Sequence, residues 1–125
     1  PELLTRALFA ALKDAGARYC LGVHARMPPV AAQAAAMAGF GQGALVVRWN
    51  LHAGYDYEQA KSRYAPFDRL VDEDPATRES IARLAAATLG AGHPAYVIAN
   101  NKAEGSAPLT LAKLAQALQA ALKGR

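Results

Sequence analysis

Arg48, Asn50 and His52 alternate along one short segment, so their side chains point to the same side if that segment is an extended strand. Together they would present a guanidinium, an amide and an imidazole to one ligand. Such a set can orient an anionic or carbonyl oxygen, with His52 titrating near neutrality as the catalytic acid or base. The alternative interpretation is a polar strand end whose groups hydrogen-bond to one another.

A second polar segment runs from Asn100 to Ser106 and directly follows an apolar run. Its backbone amides and Lys102 could cradle an anion, although the spacing is not that of a P-loop. Paired asparagines are also good turn and cap residues, because their side chains bond nearby backbone groups. The substrate-binding set predicted from the sequence is Arg48, Asn50, Tyr57, Asn100, Asn101, Lys102 and Glu104.

Metal and thiol chemistry have little support in the sequence. His24, His52 and His93 show no ligand spacing such as H-x-x-x-H, so we predict no metal site. Cys20 is the single cysteine, which excludes an internal disulfide. Its place in a predicted strand favours a buried small hydrophobe over a nucleophile. The sequence does not identify a cofactor.

The elements that must position these residues alternate between helix and strand. Apolar spacings of three and four predict helices in residues 2–15, 30–37, 74–90 and 111–122. Strand-forming residues predict strands at residues 18–24, 44–49 and 94–99. The alternation predicts one α/β domain over residues 1–125, with a parallel sheet covered by helices. Ligands of such folds bind at the carboxyl ends of the strands, where both polar segments lie.

Two further expectations follow from single segments of the chain. The near-continuous apolar run 44–49 is typical of a strand covered on both faces. Residues 50–74 show no clean period, and loops of that length are usually functional or contain short helices.

Composition and charge limit the classes of partner. No apolar run approaches the ~20 residues needed to span a bilayer, and no export signal is visible, so we expect a cytoplasmic protein without a membrane partner. The net charge of +4 permits nucleic-acid binding, but the basic residues are spread along the chain, which favours a mildly basic solvated surface. The chain lacks an initiator methionine and begins inside a helical pattern, from which we expect a fragment or processed piece.

Three phrases carry a resemblance to a known family. They are Arg48-Trp-Asn with His52 and Tyr57, then Tyr64-Ala-Pro-Phe-Asp68, then Asn100-Asn101-Lys102-Ala-Glu-Gly-Ser106. Over nearly the whole chain these phrases resemble the carboxy-terminal part of the YecE-like family, also called domain of unknown function 72. The resemblance implies the last three strands and four helices of a TIM (β/α)8 barrel. It also implies that Arg48, His52, Asn100 and Asn101 occupy the family's recurrent polar positions. No activity is established for that family, so the reaction stays open.

The residues and the resemblance together predict a TIM-barrel-type protein with an anion-binding site at its strand ends. The site would serve an enzyme acting on a small phosphorylated or otherwise anionic substrate. Two alternatives stay open: a non-catalytic module that binds nucleic acid or a nucleotide, and an inactive interaction fragment. Because three parallel strands leave two open edges, we also expect self-association or pairing with a missing amino-terminal half.

Overall fold

The computed structural model describes residues 4–124, in which helices and parallel strands alternate as predicted. The elements are α1 (Arg6–Asp14), β1 (Cys20–Val23), α2 (Val30–Met37), a 3-10 turn (Ala38–Phe40), β2 (Leu45–Trp49), α3 (Tyr57–Tyr64), α4 (Pro75–Gly90), β3 (Ala95–Ala99) and α5 (Ala107–Lys123). The prediction of an α/β fold with a parallel sheet is confirmed.

The three strands pair in chain order, β1 with β2 and β2 with β3, and both pairs are parallel. In the shared register Val23 lies beside Trp49, and Trp49 lies beside Ala99. All three strands therefore end at the same edge of the sheet. The polar residues that follow them are brought to that edge by the register alone.

One face of the sheet forms the core. Leu21, Val47 and Trp49 point to this face and are fully buried, packed with Ile81 and Ala85 of α4. Val47 and Trp49 are two residues apart along β2, which is the strand period that directs alternate side chains to one face, and Leu21 lies beside Val47 in the register. Helices α4 and α5 pack against each other on the same side of the sheet. Burial of these apolar side chains supplies the main driving force for this arrangement.

No helix of residues 4–124 covers the opposite face of the sheet. This uncovered face consists of three residues in each of two rows: Cys20, Val46 and Tyr96, then Gly22, Arg48 and Ile98. Tyr96 and Ile98 are 56% and 54% exposed, and Cys20 is exposed as well. The predictions of a strand β2 covered on both faces and of a buried Cys20 are therefore wrong. An apolar run in the sequence shows that a strand can be buried, but not that a second layer is present to bury it.

Helix α3 lies inside the segment that shows no clean period. A capping box begins it: Asp56 Oδ1 accepts from Gln59 N at 2.8 Å, and Gln59 Oε1 accepts from Asp56 N at 2.9 Å. Only Ala60 and Tyr64 are buried, so the helix offers too short an apolar stripe for periodicity to detect. The Asp-x-x-Gln spacing was the available sequence signal.

Candidate functional site

A polar residue follows each strand at the carboxyl edge of the sheet. The ladder continues one step past the strands, because Asn100 N donates to Trp49 O at 2.9 Å and Leu51 N donates to Val23 O at 3.1 Å. His24, Asn50 and Asn100 are the residues that follow Val23, Trp49 and Ala99, so they form the next row across the sheet. An imidazole and two amides thus lie side by side.

Arg48 lies two rows below and therefore faces the same side as that row. Its neighbours in the register are Gly22 and Ile98. Gly22 has no side chain, and a Cβ built on it would meet no atom within 4 Å. The Arg48 side chain is exposed on this face, with open space on the side of β1.

These residues surround a cavity of about 380 Å³. Its lining consists of His24, Arg48, Asn50, Leu51, Tyr57, Asn100 and Lys102. Five of the predicted substrate-binding residues are therefore brought together, two of them permanent cations. No acidic side chain of residues 4–124 lines the cavity, so none of these residues offsets the charge of Arg48 and Lys102 within it. An anion is the ligand that such a lining attracts.

Lys102 is held over two aromatic rings. Its Nζ lies 4.6 Å from the centre of the Tyr57 ring and 5.5 Å from that of Phe67. Ring faces attract an ammonium group through their quadrupole, and such contacts restrain the long lysine side chain. Phe67 has φ 65°, a left-handed conformation that is uncommon for a bulky residue. Sequence reasoning did not include Phe67 in the site, and no local pattern pointed to it.

The two asparagines have different local roles. Asn100 Oδ1 accepts from Lys102 N at 2.9 Å, which leaves the Asn100 amide hydrogens to face the cavity. Asn101 Oδ1 accepts from Ala107 N at 2.8 Å and caps the first turn of α5. Asn101 does not line the cavity. Both asparagines thus make the turn and cap contacts, and Asn100 also contributes to the cavity.

His52 does not line the cavity. Strand β2 ends at Trp49, and His52 N donates to Lys102 O at 3.0 Å, so the strand alternation does not reach this residue. The ring of His52 instead lies 5.5 Å from that of Tyr55, and its Nδ1 accepts from Gly54 N at 3.1 Å. Of the three residues expected to face one ligand, Arg48 and Asn50 line the cavity and His52 does not.

The imidazole of the cavity belongs to His24. Its Nδ1 accepts from Arg26 N at 3.2 Å, so in the neutral ring the proton resides on Nε2 and can be donated. The sequence places His24 at the end of the first predicted strand, but the predicted site residues did not include it. Its position directly after β1 was the signal that could have placed it in the site.

Glu104 lies in the interior, apart from the cavity. Oε1 accepts from Thr110 Oγ1 at 2.7 Å, and Oε2 accepts from Asp74 N at 2.7 Å and from Arg78 Nη2 at 2.9 Å. The carboxylate is fully buried and all its bonds run to α4, α5 and the N-cap of α4. Glu104 therefore joins structural elements, and its side chain is not available to a ligand in the cavity.

The loop between α3 and α4 is fastened to the loop after β3. The carbonyl oxygen of Glu104 accepts from Val71 N at 2.8 Å and from Asp72 N at 3.1 Å. Gly105 has φ 129°, and a Cβ there would collide with the carbonyl oxygen of Arg69 and lie 2.9 Å from Val71 N. Only glycine permits this approach. The contact holds Phe67 and Lys102, which belong to the two loops, at a fixed separation.

An ion pair joins the end of α3 to the loop between α3 and α4. Arg63 donates to both oxygens of Asp72, with Nη2 to Oδ1 at 3.1 Å, and its guanidinium lies 5.4 Å from the centre of the Tyr55 ring. The Arg63 guanidinium lowers the pKa of Asp72, and burial raises the pKa of the neighbouring Tyr64 hydroxyl. The carboxylate of Asp72 therefore offsets the charge of Arg63.

Among residues 4–124, no three His, Cys, Asp or Glu side chains are grouped closely enough to share a metal ion. No helix within the same residues has the length and apolar character to cross a membrane.

Comparison with known proteins identifies the family of the chain. A protein-family model described as "Protein of unknown function DUF72" matches residues 1–125. No curated protein and no solved structure matches the chain. Because the match spans all 125 residues, the chain belongs to DUF72, the YecE-like family.

Proposed function

We propose that the strand-end cavity binds a small anionic ligand, such as a phosphorylated metabolite. One observation carries the proposal: Arg48 and Lys102 share a cavity with amide donors and with no acidic side chain. A phosphate group satisfies both cations and accepts several hydrogen bonds, so it matches this lining better than a neutral ligand does.

Each cavity residue has a role in the proposed site. The Arg48 guanidinium offers a fork of donors to two oxygens of the anion, and Lys102 adds a point charge oriented by its aromatic contacts. Asn50 and Asn100 hold hydroxyl or carbonyl oxygens through their amide groups. The Tyr57 hydroxyl is a further donor or acceptor.

The proposal extends to catalysis on that ligand by a TIM-barrel enzyme of which this chain is the carboxy-terminal part. Proton transfer falls to His24 rather than His52, because His24 lines the cavity and carries a transferable proton on Nε2. Active sites of such barrels lie at the carboxyl ends of the strands, which is where this cavity lies.

The binding test is calorimetric titration of the chain with inorganic phosphate and with sugar phosphates. We expect Arg48→Met and Lys102→Met each to weaken binding at least tenfold, the effect of losing about 1.4 kcal/mol. Arg83→Met is the matched control, since Arg83 is exposed on α4 and pairs only with Glu79. Equal affinity of the wild type and Arg48→Met would refute the proposal.

Titration with short single-stranded DNA and RNA tests the alternative function, a nucleic-acid binding module. Binding that weakens steeply with salt and persists in the double variant Arg48→Met/Lys102→Met would favour a nucleic-acid module. The ion pair of Arg63 with Asp72 weighs against that alternative, because Asp72 offsets the charge of this exposed cation beside Tyr55.

We also propose that this chain self-associates through the uncovered face of its sheet. Tyr96 and Ile98 expose apolar surface there, and β1 and β3 each have an unpaired edge within residues 4–124. Light scattering at low and high protein concentration tests this. We expect a dimer or larger species that Tyr96→Glu dissociates, whereas a monomer at every concentration would contradict the proposal.

A further inference from the structure

A second cavity lies at the opposite edge of the sheet, where β1 and β2 begin. It has a volume of about 300 Å³ and lies between α2 and α4. Its apolar walls come from both strands and both helices: Leu21, Leu45, Ala34, Met37, Leu84 and Ala87. Ala34 of α2 and Ala87 of α4 contribute short side chains at this level, which leave space between the helices unfilled. A cavity of this size is at the lower end of the range for small-molecule sites.

One end of this cavity carries a fixed positive charge. Arg18 lines it, and Arg18 Nε donates to the carbonyl oxygen of Ala44 at 3.0 Å. Gly43 lies against the guanidinium, because a Cβ on Gly43 would be 3.1 Å from Arg18 Nε and 3.2 Å from Cζ. The backbone of the loop before β2 therefore holds the arginine in place.

The charge of Arg18 has no counterion among residues 4–124. Arg18 forms no salt bridge with these residues, and no acidic side chain lines the cavity. Its Nε is used by the backbone, which leaves the Nη hydrogens as donors. His93, Gln42 and Thr88 complete the polar end. A partly buried cation without an acidic partner among residues 4–124 favours an anionic group from a ligand.

A neighbouring cavity extends the apolar surface beyond Arg18. It has a volume of about 220 Å³, shares Arg18 and Met37 with the first, and is lined on its far side by Phe9 and Phe40. The guanidinium therefore lies where two apolar cavities meet. Apolar surface beside the Arg18 guanidinium, with Lys13 also lining the neighbouring cavity, matches a ligand with an apolar body and one anionic head.

We propose that the cavity between α2 and α4 binds an amphiphilic monoanion, a medium-chain carboxylate. Its apolar body lies against Leu21, Leu45 and Leu84, and its carboxylate accepts hydrogen bonds from the Arg18 Nη atoms. This site is at the amino-terminal ends of the strands, so it is separate from the strand-end cavity and does not depend on the function proposed for that cavity.

The experiment is calorimetric titration of the whole chain with octanoate, 1-octanol and acetate. We expect octanoate to bind, 1-octanol to bind at least tenfold more weakly because it lacks the charge, and acetate to show no binding because it lacks the apolar body. Arg18→Met should lower the affinity for octanoate to that for 1-octanol and leave the affinity for 1-octanol unchanged. Octanoate that does not bind the wild type overturns the proposal.

A substitution that fills the cavity gives a second, independent test of the proposal. Ala34→Leu places a larger side chain inside it and should abolish binding of octanoate and of 1-octanol. Ala36→Leu is the matched control, because Ala36 lies on α2, is exposed and does not line the cavity. Ala87→Leu fills the cavity from α4 and replaces Ala34→Leu if that variant does not fold. Octanoate binding that survives both the filling variant and Arg18→Met overturns the proposal.

Arg48→Met separates the two sites. This variant alters the strand-end cavity alone, so it should leave octanoate binding unchanged. A loss of octanoate binding in Arg48→Met would place the carboxylate in the strand-end cavity and overturn the second site.

Discussion

Replacing Glu104 by alanine removes a carboxylate that joins α4, α5 and the loop between α3 and α4. Three donors lose their acceptor: Thr110 Oγ1, Asp74 N and Arg78 Nη2. The Glu104 side chain is 0% exposed and that of Arg78 only 14%, so water replaces the lost bonds poorly. Arg78 keeps one partner, the half-exposed Glu73.

The expected loss of stability follows from this burial. Breaking a buried ion pair by removing one partner costs about 3–5 kcal/mol, because the other charge loses its buried counterion. In a domain of this size that corresponds to a drop of roughly 10–20 °C in the midpoint of thermal unfolding. The matched control is Glu79→Ala, which breaks an exposed pair with Arg83 on α4 and should cost about 0.5 kcal/mol or less.

Urea unfolding followed by tryptophan fluorescence measures both variants. Trp49 is the single tryptophan and is fully buried in the core, so its emission reports global unfolding. The double variant Glu104→Ala/Arg78→Met should lose less free energy of unfolding than the two single variants lose in sum. The difference should be about 0.5–3 kcal/mol, because neither buried charge then remains without the other. A loss below about 1 kcal/mol in Glu104→Ala would refute the reasoning that this carboxylate is a buried structural group.

Two further predictions concern the loop that Glu104 fastens. Gly105→Ala should lose about 2–4 kcal/mol of stability in the same urea assay, since it combines a left-handed φ with a backbone collision. The control Gly92→Ala also has a positive φ but has open space around it, so it should lose only about 1–2 kcal/mol. Equal losses in the two variants would contradict the collision. The pKa of Asp72 is lowered from 3.8 by Arg63, so its stabilising contribution is present above that pH and is lost as the pH falls through the lowered value. Thermal unfolding from neutral pH to about pH 3 should therefore show a flatter decline for Asp72→Asn than for the wild type, and identical slopes would rule out this contribution.

Much of the candidate site could be predicted from the order of residues along the chain. Arg48, Asn50 and Asn100 reach one edge of the sheet because parallel strands in register end together, and helix periodicity was enough to indicate a parallel α/β fold. His24 was equally accessible to this argument, since it follows β1 directly. The predicted boundaries of the strands were close because strand formers and glycines mark them locally.

The side-chain environments depended on residues distant in the sequence. Glu104 looked like a ligand-binding residue from its polar loop, but Arg78 and Thr110 approach it only after α4 and α5 have packed. The aromatic contacts of Lys102 arise in the same way, through Phe67 of another loop.

The sequence by itself determined the helix and strand alternation, the parallel order and the polar residues at the strand ends, because these depend on local periodicity and register. Tertiary structure alone decided which sheet face is covered, which histidine lines the cavity and which charges are paired. The physical reason is that burial and pairing are set by packing between elements, and His52 and Cys20 carry no local signal of what lies beside them.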